Sequence, residues 1–419
     1  MPRVRCPDCS SDLGALDPHW APWCESCEWG VDPTPDQQPS GRFERWWQRR
    51  LNAASAKEHE RLLTQGLASG PSRDRTVVLV GCALVHLTTL ALAFAVVLLL
   101  LSGVWIGFKI AGGVIGGLLV WQLLPRVGKD TVRGRELTRE SAPALWSLVD
   151  EVAAAAESRT PDRIELATFV NATWGRVGTR QKRVLTLGYP LWVALSGQQK
   201  VALIGHEVGH EVNSDNTSSL FVHSAMRALR EWRSALSPSG TLGGRGVAGL
   251  LVYVAEMIVS LLLLPVIALL TLIELRLSEL AARSHQFAEH RADALGARLA
   301  GREGALGLER ELLDPSVLAF ATGVPLRSNR EADLWQAVRT HVASVPEHEQ
   351  RRQLLKAQRT LQSVDATHPP TYRRLELVEA GPNESPQVVL DPAREATIDA
   401  EIRSQEPWVR RRLLGQREL

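Results

Sequence analysis

Two histidines flank a glutamate in His206-Glu207-Val-Gly-His210, and these are the residues of this chain best placed for chemistry. On a helix, positions four apart lie on one face a turn apart, so both imidazoles can reach a single zinc ion. Glu207 then lies beside the metal, where a carboxylate takes a proton from bound water. The chemistry indicated is hydrolysis.

A catalytic zinc takes a third protein ligand and keeps one position open. Phe287-Ala-Glu-His-Arg-Ala-Asp293 offers the candidates. Glu289 and Asp293 share a helix face, so Glu289 can ligate while Asp293 orients a ligating imidazole. His290 is the rival ligand one residue along; the acidic pair four apart favours Glu289. The first motif has an apolar approach, Val201 to Ile204, and a polar exit, Asn213 to Asn216. Asn213 is expected to support the ligands.

A second metal site is written in the cysteines. Cys6-Pro-Asp-Cys9 and Cys24-Glu-Ser-Cys27 are two C-x-x-C pairs separated by a short loop, which predicts a four-thiolate structural zinc ribbon in a reducing compartment. Such a module is too short to supply its own core, so the metal replaces one.

These motifs need elements to carry them. Gln198 to Val212 reads as the helix of the first motif and Ser278 to Leu299 as that of the second. Arg163 to Val170 and Arg183 to Leu187 read as strands, and Leu137 to Ala156 as a helix through Leu145, Leu148, Val149 and Val152. The tail beyond Gly381 shows no strong pattern. His285, His341 and His348 lie among polar residues and are expected in solvent.

From Thr76 to Pro125 the only charged residue is Lys109. A bilayer span takes about 20 apolar residues, so this run predicts a transmembrane hairpin turning at Ser102-Gly103. Gly112, Gly113, Gly116 and Gly117 suit close helix packing in lipid. Arg73 and Arg75 precede the hairpin and Arg126, Lys129, Arg133 and Arg135 follow it, which places both ends in the cytoplasm. Arg42 to Gln65, with Trp46 and Trp47 among arginines, reads as an interfacial helix or a solvated one. No signal peptide is visible at the start. The net charge of +2 gives no electrostatic reason to expect nucleic acid.

In this order the motifs resemble the membrane zinc peptidases that include HtpX and the CAAX prenyl proteases. The matching residues are His206-Glu-Val-Gly-His-Glu-Val-Asn-Ser-Asp215, Glu289-His-Arg-Ala-Asp293, Thr367-His-Pro-Pro370 with Arg374, and Asn171-Ala172. The resemblance implies a mostly helical, gluzincin-like domain with Glu289 as third ligand and a cytoplasm-facing site. It implies that the strand at Asn171-Ala172 aligns substrate by strand addition. His368 would hydrogen-bond the developing oxyanion, or else is a turn residue before two prolines. Arg374 would pair with a nearby carboxylate or stabilise the fold. Two departures stand out: the cysteine module, and a single apolar run, Val247 to Ile273, between the metal motifs. An odd number of crossings would part the motifs, so this run is predicted to be either a re-entrant pair broken near Pro265 or a helix packed on the hairpin.

The fold class expected is α+β and mainly helical, in five pieces: ribbon 1–30, linker and possible interfacial helix 31–75, hairpin 76–125, peptidase domain 126–380 with insertion 247–273, and tail 381–419. The function expected is a membrane zinc endopeptidase acting on membrane or membrane-proximal proteins at the cytoplasmic face, with one catalytic and one structural Zn2+. The alternative is a silent zinc-binding adaptor that recruits partners through the ribbon; intact His206, Glu207, His210 and Glu289 argue against it.

Overall fold

A computed structural model describes residues 4–13, 20–31, 41–67, 73–123, 134–213, 215–237, 247–313, 318, 322–323, 333–360 and 369–415. The chain divides into two compact units that do not follow chain order: Met1–Leu67, Lys129–Ser214 and Ala288–Leu419 form one, Ala68–Gly128 and Asp215–Phe287 the other.

The first unit is built on a small mixed sheet of β1 (Arg135–Leu137), β2 (Arg163–Ala167), β3 (Ala172–Val177) and β4 (Lys182–Gly188), in the order β1-β2-β4-β3. β2 and β4 pair in parallel, with Ile164 opposite Leu185 and Leu166 opposite Leu187, and these four side chains are fully buried. β3 returns antiparallel on β4 as the edge strand, with Trp174 opposite Leu185. The hairpin turn is closed by Gly178 and Gln181, both at positive φ.

Helices cover the sheet. α4 (Pro143–Ala155) starts with proline, as a first helical turn allows, and buries Leu145, Leu148, Val149 and Val152 at helical spacing. Its free amides at Ala144 and Leu145 donate to Glu401. The predicted helix from Leu137 therefore begins later, because Leu137 is the buried end of β1. α5 (Tyr189–Ala194) and α6 (Gly197–Val212) follow, the latter opened by the Ser196 amide donating to the Gln199 side chain. Strand β2 stops at Ala167 rather than Val170; β3 begins at Ala172, where the resemblance implies a strand, and β1 was not foreseen.

The tail is the main correction. α13 (Pro392–Arg403) and α14 (Glu406–Leu413) are regular helices that place Ile398, Ile402 and Val409 in the core at 0% exposure. Each such side chain contributes about 1.5–3 kcal/mol by burial. Trp408 and Leu413 pack against the same core, and these apolar positions are spread over two short helices, which is why no strong period is visible in the sequence.

The remaining helices of this unit are α1 (Arg42–Gln65), α9 (Arg302–Glu311), α10 (Leu334–Ala343), α11 (Glu347–Thr360) and α12 (Thr371–Ala380). α1 packs on α12: His59 Nε2 lies 2.7 Å from Glu376 and Arg373 donates to Ser55. The cysteine module docks on α10 and α11. Trp23 stacks on His348, which stays exposed as expected, and Trp20 meets His341, which is partly covered rather than in open solvent. Glu25 pairs with Arg351, Glu28 pairs with Arg359, and Arg352 donates to the Val31 carbonyl.

The second unit holds α2 (Arg73–Leu101), α3 (Ile106–Leu123), α7 (Asp215–Leu236) and the first part of α8 (Val247–Ala300). Gly112, Gly113 and Gly116 face Leu99, Leu100 and Val96 across the α2–α3 hairpin, where a β-carbon would collide. Val78, Cys82 and Val85 of α2 pack with Ala225, Met226, Ala228 and Leu229 of α7 and with Leu277 of α8. Arg73–Leu101 and Leu261–Ala300 are long and apolar enough to cross a membrane by length and composition. α8 runs unbroken through Pro265. The broken re-entrant pair predicted there is thus overturned: the proline lies in a helix long enough on both sides to carry it.

Candidate active site

Two helices of the first unit approach so closely that only small residues fit between them. A β-carbon at Gly209 would lie 2.8 Å from the Ala292 Cα, and one at Gly205 would lie 3.1 Å from the Gly296 Cα. One at Gly296 would lie 3.0 Å from the Ala202 carbonyl. The glycines on either side of His206 are four apart, so they line the face that α6 presents to the end of α8. That contact brings side chains from positions more than eighty residues apart into one cluster.

His206, His210 and Glu289 each point one ligand atom into a space where these atoms lie within 4.8 Å of one another, and all three residues are buried. His206 Nε2 is 3.7 Å from Glu289 Oε2, and His210 Nε2 is 3.5 Å from Glu289 Oε1. A tetrahedral zinc with bonds of about 2.0–2.1 Å has ligand–ligand edges of about 3.4 Å, so two imidazoles and a carboxylate at this spacing fit the ion. The two rings stand edge to face, 4.9 Å apart.

Behind this cluster lies a buried chain of polar groups. Asp293 Oδ1 accepts from His206 Nδ1 at 2.8 Å, which leaves Nε2 on the Glu289 side. Arg374, at 2% exposure, donates from Nε to Asp293 Oδ2 at 3.0 Å and pairs through Nη2 with Glu309 at 2.8 Å. Burial alone would raise the Asp293 carboxyl; Arg374 and the His206 hydrogen bond outweigh it and hold it well below the usual carboxylate range. Burial, with the Arg374 charge behind it, lowers His206 and keeps the imidazole neutral. Glu309 is pushed up to about 8 by burial, against the pull of Arg374 and with the help of Asp293 and Glu289.

Glu207 lies on α6 at 3% exposure, and its carboxylate makes no hydrogen bond or ion pair among the described residues. Asn213 ends α6 and donates to the Ala288 carbonyl, next to Glu289. Asn171 precedes β3 and its side-chain oxygen accepts the Ala172 amide; Ala172 is buried opposite Leu187. His368 lies outside the described residues. His290, the rival ligand, is turned away from the cluster: its ring lies 6.4 Å from His59 of α1, and its Nδ1 is 3.7 Å from Asp293.

Three groups escaped the sequence reading. Glu309 shares Arg374 with Asp293, yet no spacing in α9 marks it. Glu211 follows His210 and accepts from Trp174 Nε1 and Arg176 of β3, fastening the edge strand to the end of the metal helix. Lys200 is wholly buried on α6 and bonds Glu395 and Asp399 of α13. Its place inside a helix of 3.6-residue period was readable, its partners were not.

The cysteines form a second group of metal-ligand type. Cys6 and Cys27 Sγ lie 3.5 Å apart, as do Cys9 and Cys24. Four thiolates at zinc bonds of about 2.3 Å stand about 3.8 Å apart, so the set suits a tetrahedral ion, and it is far too open for disulfides. Hydrogen bonds from Ser11 lower the Cys9 thiol to about 6, toward the thiolate that ligates metal.

No match was found among curated proteins or among solved structures. The model of Peptidase family M48 matches residues 141–380, which contain the sheet strands β2 to β4, both metal motifs and Arg374. That stretch is more than half of the 419 residues, and the chain therefore belongs to peptidase family M48, a family of zinc-using metallopeptidases.

Proposed function

We propose that the chain is a membrane-anchored zinc endopeptidase that cuts membrane or membrane-proximal proteins at the cytoplasmic face. The observation that carries the reading is the convergence of His206, His210 and Glu289 at ligand spacing, with Glu207, unpartnered among the described residues, on the same helix. Bound there, zinc supplies Lewis acidity toward the scissile carbonyl and lowers the pKa of water. Glu207 accepts a proton from the attacking water and returns it to the leaving amine as the C–N bond breaks. Asp293 fixes the His206 tautomer, and Asn213 steadies the backbone at Ala288. The free edge of β3, beginning at Asn171-Ala172, takes the substrate backbone in strand addition. His368 serves as hydrogen-bond donor to the developing oxyanion, on the strength of its motif alone.

The anchor is the 76–125 hairpin together with the apolar stretch 247–273. Leu87, Phe94, Ile110, Leu262 and Leu269 expose more than half of their surfaces, and an apolar band of that kind suits lipid. The flanking arginines and lysine set the cytoplasmic orientation. The four cysteines hold a second, structural zinc, and the ribbon recruits partners or substrates from its seat on α10 and α11.

The test uses the full chain purified in detergent, with zinc content and casein cleavage measured for wild type and Glu207→Gln. Both should hold equal metal, and the variant should cleave at least about a hundredfold more slowly. Undiminished cleavage by the variant would sink the base assignment. Metal binding without cleavage by the wild type would make the chain an adaptor.

A further inference from the structure

The hairpin end of the sheet is a basic concavity of about 540 Å3. Arg159, Arg163, Arg176, Arg180, Lys182 and Arg183 line it, gathered from the turn before β2, the start of β2, the end of β3 and the β3–β4 turn. They meet there because β2 and β4 run in parallel and begin at the same end, with Arg163 opposite Val184. Three of the six are held by carboxylates of the fold: Arg163 by Glu165, Arg176 by Glu211, and Arg183 by Asp162. Beyond these, among the described residues, only Glu136 adds a carboxylate to the lining. Positive charge is therefore in excess, and the side chains of Arg159 and Arg180 make no ion pair among the described residues.

The concavity is continuous with the edge strand. Trp174 and Arg176 bond Glu211, the residue after His210, so the middle of β3 lies beside the end of the metal helix. From there β3 runs through Val177 into the turn that carries Arg180. An extended strand rises about 3.3 Å per residue, so a polypeptide laid on this edge reaches the basic lining about four residues beyond the one opposite Trp174. An acidic peptide meets backbone pairing first and opposite charge next.

We infer that this concavity binds acidic side chains of the polypeptide substrate, so that Asp or Glu to one side of the cleaved bond is preferred. The inference rests on the edge-strand reading given above. Exposed guanidinium–carboxylate pairs are individually weak and act mainly through encounter and KM, and salt screens them.

The test takes a casein segment that spans a bond cleaved by the full chain and synthesises it with three Glu or three Gln on the amino or the carboxyl flank. At low salt, wild type should cleave the Glu form about tenfold better in kcat/KM on one flank only, through KM. The ratio should fall toward one in 0.5 M salt and in Arg159→Glu/Arg180→Glu; Arg159→Gln/Arg180→Gln guards against misfolding and should lower it too. A ratio near one in wild type, with the peptides cleaved, overturns the acidic preference and leaves the peptidase reading standing. A ratio preserved in both double variants overturns it as well. Glycerol phosphate that binds wild type and not the variants, with the peptide ratio unmoved, would make the concavity a lipid-headgroup site and overturn it. If the full chain cleaves no bond of casein, the peptidase reading fails and this inference with it.

Discussion

Gly209 of α6 and Ala292 of α8 touch backbone to backbone, with no room at position 209 for even one further carbon. The contact sets the spacing between the two histidines on one helix and Glu289 on the other. Gly209→Ala would gain about 1 kcal/mol of helix propensity. It would force apart two helices whose nearest atom is backbone and not a flexible side-chain end, at a cost of about 1–3 kcal/mol. The net sign is destabilising. Thermal unfolding with and without zinc should show a lower Tm and a smaller zinc-induced gain in the variant. A variant more stable than wild type would contradict the close approach.

Arg374 is the single cation shared by Asp293 and Glu309. Replacing it with methionine leaves two buried carboxylates facing one another, and breaking such a pair costs about 3–5 kcal/mol. Neutralising one of them should return part of that loss. Arg374→Met/Glu309→Gln is therefore expected to be more stable than Arg374→Met. Zinc affinity should fall about 10- to 100-fold in Arg374→Met, because Asp293 no longer holds His206 firmly. Simple addition of the two single effects in the double variant would show that the three groups are not coupled.

What the sequence revealed follows from the range of each signal. His206, Glu207 and His210 lie within one helix turn, so their period alone brought them together. The cysteine pairs were legible for the same reason. Glu289 could be preferred over His290 because Asp293 lies four residues on, and both choices sit on one helix face. Arg374 was seen as a possible partner to some carboxylate; which one depends on α12 meeting α8, a long-range contact without local mark. Lys200 and the tail show the same limit. So does α7, whose charged residues concealed an apolar stripe that packs on α2 in the second unit.

Glu311, near the end of α9, carries a pH dependence that can be separated from the metal cluster. Burial alone raises its carboxyl from 4.5 to about 7. Below about 4.5 both folded and unfolded chains hold the proton. Between 4.5 and about 7 the folded chain holds it and the unfolded one does not, so stability falls as pH rises through this window and stays lower above it. Glu311→Gln cannot ionise, and should be more stable than wild type by about 3 kcal/mol at pH 8 and equal to it at pH 4. Paired melting curves from pH 4 to 8 read this out, and parallel curves would refute the raised pKa.

Residues 381–415 lie beyond the stretch that marks the family, yet they hold the metal helix in place. Lys200 Nζ of α6 bonds Asp399 at 2.6 Å and Glu395 at 2.9 Å, and sits 5.4 Å from the centre of the Trp192 ring. The Gln198 side chain ties α6 to the same segment by donating to the Val388 carbonyl and accepting the Leu390 amide. A buried ammonium without its carboxylates is strongly unfavourable, and loss of Ile398, Ile402 and Val409 adds about 1.5–3 kcal/mol for each side chain. A chain ended at Gly381 should therefore fail to fold and hold no zinc at the histidine cluster, although it keeps every candidate ligand. Asp399→Asn should weaken zinc binding in the full chain, since the lysine that anchors α6 is left with Glu395 alone. Protease resistance and zinc content of the shortened chain decide the matter: a resistant, zinc-loaded fragment would mean that α6 keeps its position without the tail.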